Sequence, residues 1–253
     1  MTFVEDRSVL SRAARAPDQV ITCGQDPDHI AEVWVGGAGA DKQPLLLIIH
    51  GGFWRPQYDR AHTRPMAEAL AAAGWTAASA EYRRIPGNPD ATFEDVGHAL
   101  QIVPGRVRHH NGRVVLIGHS AGGHLVLWLS AARRTPELSG TLALAPAADL
   151  RLAHQRNLGD GAAQAFLGIT PASRTDADPC RLPSPDGPIT IVHGAQDEIV
   201  PIALAESYVL THPRTRLVRV ADAGHFAIID PASGAWPVVL AELRALSAEK
   251  TVR

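Results

Sequence analysis

The sequence predicts an α/β domain in which a mostly parallel sheet is flanked by helices. Three observations carry this expectation. Apolar runs of strand length recur at 45–49, 76–81, 114–118, 141–145, 189–193 and 217–220, each bounded by Gly, Pro or polar residues, as in strands buried on both faces. Segments with helical character alternate with these runs, which is the signature of βα units. A length of 253 residues suits one α/β domain with a large core.

The elements follow in order. QVITCG at 19–24 and HIAEVWVG at 29–36 flank the turn-forming QDPD, which predicts an antiparallel hairpin at the sheet edge. LLLII at 45–49 opens a set of six parallel strands, and RPMAEALAAAG at 64–74 follows it as a helix. Strand 76–81 leads to a helix over 92–103, and strand 114–118 to one over 123–133. Strand 189–193 leads to a helix over 203–210, and strand 217–220 to a final helix over 236–247. The expected sheet is therefore eight-stranded. The stretch 147–188 is rich in Asp, Pro and Gly and contains AAQAFLG, a short helix. It is expected to lie as a short cap over the carboxyl ends of the strands, where ligands bind in open α/β sheets. No internal repeat or linker divides the chain, so residues 1–253 read as a single domain.

Composition narrows the function classes. A net charge of −2 with 20% charged residues supplies no electrostatic argument for nucleic acid or an anionic membrane. The amino-terminal residues are acidic early and lack a continuous apolar core, and LLLII is too short to span a bilayer, so a cytoplasmic location is expected. Cys23 and Cys180 have no CxxC spacing and are expected to remain thiols. No His, Cys and carboxylate spacing fits a metal site, and the expected chemistry needs no metal and no cofactor. Heptads and repeats that would favour a scaffolding role are absent from the sequence.

GHSAGGHL at 118–125 places Ser120 between a strand and a helix, in a G-x-S-x-G pattern. Such a turn lifts a serine hydroxyl out of the backbone, and the helix behind it aims free amides at a developing oxyanion. The competing reading is a plain glycine-rich turn. A serine needs a base and an orienting acid to become a nucleophile. HGAQDEIVP places Asp197 just past strand 189–193, and DAGHFAIIDP places His225 past the next strand. Ser120, Asp197 and His225 thus fall in order at the carboxyl ends of strands in one sheet. Glu198 and Asp222 are the rival acids, and Asp197 is preferred because a separate loop can present it to the far ring nitrogen. His119 and His124 lie too close to the elbow to face Ser120, while His50 and His193 end strands and fit a structural hydrogen-bond network. HGGFW at 50–54 offers the Gly52 and Phe53 amides as oxyanion donors, joined by that of Ala121, or else is a simple glycine turn.

The combination HGGFW, GHSAGG, HGAQDEIVP and DAGHF resembles the α/β-hydrolase superfamily, in its hormone-sensitive-lipase-like esterase branch and the neighbouring kynurenine formamidase group. The resemblance runs from about residue 30 onward and implies an α/β-hydrolase fold, Ser120 as nucleophile, Asp197 as acid, His225 as base, and Gly52, Phe53 and Ala121 as oxyanion donors. EYRR at 81–84 resembles a tyrosine-arginine pair of such esterases and is expected to be structural. Phe53 replaces the third glycine of the common HGGG loop, which is similar to the formamidase form. The expected substrate is a small carboxylic ester or an aryl formamide, cleaved through an acyl-enzyme, with kynurenine formamidase the leading specific expectation from the resemblance; a general short-acyl carboxylesterase is the alternative, and a non-catalytic ligand-binding protein of the same fold a further one. Phe53, Trp54 and Phe226 are expected to floor the pocket, though Trp54 and Phe226 fit core packing equally well.

Overall fold

The structure is a computed structural model that describes residues 3–133 and 135–248. Its eight strands are β1 (Gln19–Thr22), β2 (Ile30–Trp34), β3 (Leu45–Ile49), β4 (Ala77–Ala80), β5 (Val114–His119), β6 (Leu138–Leu144), β7 (Ile189–Gly194) and β8 (Arg216–Val220). They form one sheet in the order β1-β2-β4-β3-β5-β6-β7-β8. The expected hairpin is present, but β2 alone runs against the sheet: it is antiparallel to both β1 and β4, so β1 points the same way as the parallel set.

The helices are α1 (Arg64–Ala72), α2 (Pro89–Arg106), α3 (Ala121–Ala132), α4 (Leu150–Gln155), α5 (Ala162–Leu167), α6 (Ala203–Thr211) and α7 (Trp236–Ala248). Helix α2 starts earlier than its apolar pattern because Pro89 occupies its first turn, where the missing amide costs no hydrogen bond. Helix α4 carried no sequence signal strong enough to be expected; Asp149 caps it by accepting from the Leu152 amide at 2.8 Å.

Strand side chains alternate between two cores. Leu45, Leu47 and Ile49 face the core shared with α2, α3 and the 147–188 segment. Leu46 and Ile48 face the core shared with α1 and α7. Helix α3 is buried along residues 121–130, which is why its sequence is apolar on every side.

The chain leaves β3 toward β4 on one side and returns to β5 on the other. This reversal splits the carboxyl-end loops of β3 and β5 and opens a crevice between them, the position at which doubly wound sheets bind ligands. Ser120 and the HGGFW loop lie at that switch point.

Candidate active site

Ser120 joins β5 directly to α3, with φ 59° and ψ −118°. A left-handed backbone is costly for a residue with a side chain, and such strain persists only where the surroundings enforce it. Here the Ser120 amide donates to the Leu144 carbonyl at 2.9 Å, while its own carbonyl accepts from His124 and Ala147 at 3.1 Å each. The flanking glycines are required by close approach. A Cβ at position 118 would lie 2.2 Å from the Gly122 carbonyl oxygen, and one at 122 would lie 2.1 Å from that of Ile49. The motif is therefore the packing of a tight elbow against the end of β3.

Strands β7 and β8 are neighbours, and their carboxyl-end loops are laced together by Ala195 donating to Val220 and Gln196 donating to Ala223, both at 2.9 Å. This brings Asp197 Oδ2 within 2.6 Å of His225 Nδ1. The other Asp197 oxygen accepts from the Ile199 and Val200 amides at 2.9 and 2.8 Å. Burial alone would raise the Asp197 carboxyl, but hydrogen bonds from His193 and His225 outweigh it and hold it well below the ordinary carboxylate range. An ionised carboxylate can only accept, so the His225 Nδ1 donates to Asp197 and Nε2 is the ring nitrogen left free of the acid. Asp222 and Glu198 are exposed, and neither bonds to His225.

The other histidines are placed as expected for structural groups. His193 donates from Nε2 to the Val200 carbonyl at 2.8 Å and lies 3.5 Å from Asp197, so it also steadies the acid. His124 sits in the core, donates to the Ala177 carbonyl at 2.8 Å, and is lowered to about 4 by burial. His119 lines the cavity beside Ser120 and donates from Nε2 to the His225 carbonyl at 3.0 Å. Burial, then the nearness of His225, keeps His119 neutral well below its ordinary range.

Gly52, Phe53 and Trp54 all have positive φ, at 115°, 53° and 56°. This successive left-handed turn exposes backbone amides, a geometry that forms anion-binding concavities. The Gly52 and Phe53 amides donate to no acceptor among the described residues. Ala121, as the first residue of α3, supplies one of the unpaired amides of a helix start. The loop is braced from behind: Tyr82 donates its hydroxyl to the His50 carbonyl at 2.9 Å and stacks on the His50 ring at 4.3 Å. Glu81 holds His50 Nε2 at 2.7 Å and also bonds Arg60 and Arg84. Burial would raise Glu81, but the bond and charge of His50 and the Arg84 charge bring it down to about 2. EYRR is thus a buried brace, as expected.

Ser120, His225, Phe53 and Phe226 line one cavity of about 680 Å³ together with Gly52 and His119. Of its two expected places, pocket floor or core, Trp54 takes the core. It stacks on Phe166 at 5.0 Å and meets His124 edge-on at 5.2 Å, inside the core. The cause is the turn at 53–54, which sends consecutive aromatic side chains to opposite sides of the loop.

Sequence reasoning missed several cavity residues. His62, in the turn before α1, lies edge-on to His50 at 5.9 Å and is lowered to about 4 by burial and the His50 charge. Tyr58 and Asn157 also line the space, as do Arg7 and Leu10 from the amino-terminal segment. None lies in a motif or at an informative spacing; only folding assembles them. Residues 157–160 of the 147–188 segment border the cavity: a Cβ at Gly159 would lie 2.6 Å from the Phe53 ring, and Arg55 bonds the Gly159 carbonyl. Among the described residues no three His, Cys, Asp or Glu side chains converge as a metal-binding group, and no helix is long and apolar enough to cross a membrane.

A family model described as an alpha/beta hydrolase fold matches residues 46–176, just over half of the 253 residues. The Arabidopsis thaliana protein named probable carboxylesterase 4, mitochondrial, is 28% identical over 166 residues, covering 55% of this chain and 44% of that protein. A Mycobacterium tuberculosis protein named probable carboxylic ester hydrolase LipM is 36% identical over 87 residues, covering 32% of this chain and 20% of its own length. The chain thus matches less than half the length of these curated relatives. Among solved structures, esterase B from Lactobacillus rhamnosis superposes with a TM-score of 0.77 at 19% identity, over 96% of this chain and 89% of that one.

Proposed function

The chain belongs to the α/β-hydrolase-fold family, and from that premise we propose that it is a serine hydrolase of small carboxylic esters. The observation that carries the reading is the convergence on one cavity of Ser120, strained at φ 59°, and His225, whose Nδ1 is 2.6 Å from a buried, ionised Asp197. In this reading Ser120 Oγ attacks the ester carbonyl carbon while His225 Nε2 takes the hydroxyl proton. Asp197 holds the ring in the required tautomer and balances the imidazolium charge. The carbonyl oxygen becomes an oxyanion, and the Gly52, Phe53 and Ala121 amides are proposed to bind it. Collapse breaks the bond to the leaving alkoxide, which takes the proton from His225. Water, deprotonated by the same nitrogen, then releases the acid and frees Ser120.

Relatives named probable carboxylesterase and probable carboxylic ester hydrolase support esters as the substrate class. A cavity of about 680 Å³ is sized for a small molecule. The aromatic Phe53 in the loop after β3 favours the aryl formamide as a second substrate reading, kynurenine formamidase-like in chemistry. Hydrolysis of short p-nitrophenyl esters and of N-formylkynurenine by wild type and Ser120→Ala tests both. The expected result is ester turnover that falls on the order of 10⁴- to 10⁶-fold in the variant. Turnover that survives the substitution contradicts the mechanism. A higher kcat/KM for the formamide than for any ester transfers the assignment to the second reading.

A further inference from the structure

Arg7 and Leu10, from the segment ahead of β1, line the cavity. Val9 is buried in the core beside α1, and Arg12 makes two bonds to Asp230 at 2.6 and 2.8 Å, so the segment is anchored. Between these anchors and the chain start, Glu5 reaches the loop that carries His225. Its Oε2 accepts from the His225 amide at 2.7 Å and its Oε1 from the Phe226 amide at 3.0 Å. One carboxylate thus binds two successive backbone donors, the geometry of an anion held in a backbone nest. Gly224 makes this possible: a Cβ there would lie 2.1 Å from Glu5 Oε2. From the other side His119 donates to the His225 carbonyl at 3.0 Å.

We propose that Glu5 is a positioning residue for His225, holding the peptide groups that flank the base so that its ring keeps its place in the cavity that Ser120 also lines. The proposal rests on the reading of His225 as the base. Each remaining hold on the base acts at a single atom: Asp197 at Nδ1, His119 at the carbonyl. Neither restrains the two amides. Without the carboxylate, two partly buried N–H groups lose their acceptor, and the loop must move to solvate them. Proton transfer between Ser120 and His225 requires hydrogen-bond reach, so a displacement of about 1 Å is worth up to about a hundredfold in rate.

The test compares Glu5→Ala, Glu5→Gln, Gly224→Ala and the Glu5→Ala/Gly224→Ala double variant on p-nitrophenyl acetate, well below their melting temperatures. Glu5→Ala is expected to lower kcat about 10- to 100-fold with KM within about twofold. Glu5→Gln, which retains one carbonyl acceptor, falls between it and wild type. Gly224→Ala reproduces the loss by displacing the carboxylate, and the double variant is no worse than either single one. Full additivity, or a wild-type kcat in Glu5→Ala, overturns the proposal. The deshielded His225 Nδ1 proton in the NMR spectrum, identified by its disappearance in Asp197→Asn, gives a readout independent of turnover. It is expected to shift or broaden in Glu5→Ala and Gly224→Ala; an unchanged resonance overturns the proposal. Should wild type hydrolyse no ester, the assigned activity fails while this resonance still decides the role of Glu5.

Discussion

The His225 ring meets one carboxylate, and which one it meets follows from where the two candidates sit. Asp197 leaves β7 on a loop of its own and is buried, so its oxygens are directed by the Ile199 and Val200 amides and by His225. Asp222 shares a loop with His225 and is exposed. Asp197→Asn is expected to lower kcat on the order of 10⁴-fold, because the amide no longer fixes the imidazole tautomer. Asp222→Asn leaves kcat within about twofold. Steady-state kinetics of the two variants distinguish them, and the opposite ranking would transfer the acid role to Asp222. This choice was legible before the structure because it depends only on which residues follow which strand. The partners of His225 at its backbone were not, since Glu5 lies 220 positions away and nothing in its surroundings marks it.

At the scale of elements, the tight turn at Ser120 is a packing problem between β5, α3 and the end of β3. Gly122→Ala would place a methyl group 2.1 Å from the Ile49 carbonyl oxygen and 2.4 Å from that of His50. Both belong to backbone that cannot yield without moving the HGGFW loop. The variant is expected to lose about 1–3 kcal/mol of stability, with turnover falling further than stability accounts for; urea unfolding and kinetics on the same preparation check this. A variant as stable and active as wild type would mean the elbow is looser than described. The strand runs could be read in advance because strands buried on both faces are continuously apolar, as Leu45–Ile49 is. Helix α4 could not, because a six-residue helix closed by Asp149 shows no full amphipathic period. Trp54 was ambiguous for a related reason: two adjacent aromatic residues at a left-handed turn carry no pattern that says which one faces the cavity.

The whole molecule places its cavity where the strand order reverses, and burial keeps neutral His62 and His119 beside that cavity and His124 in the adjoining core. His62 and His124 are lowered to about 4 by burial, with the His50 charge adding to the effect at His62. The unfolded chain takes up these protons near pH 6.5, whereas the folded protein does so only near pH 4, so the unfolded state binds more protons in between. Stability is therefore highest above about pH 6.5 and falls as pH drops toward 4, by about 3 kcal/mol at most for His124. Urea midpoints at pH 7.5 and 4.5 should show the loss, and His124→Gln should reduce it; an equal loss in the variant would place its origin elsewhere. The central claim, that Ser120 is an activated nucleophile, is tested most directly by mass spectrometry after a fluorophosphonate is offered to the folded protein. The expected result is one phosphonyl adduct, on the peptide containing Ser120, absent from Ser120→Ala and formed far more slowly in His225→Gln. An unlabelled wild type, or an adduct on another residue, would contradict it.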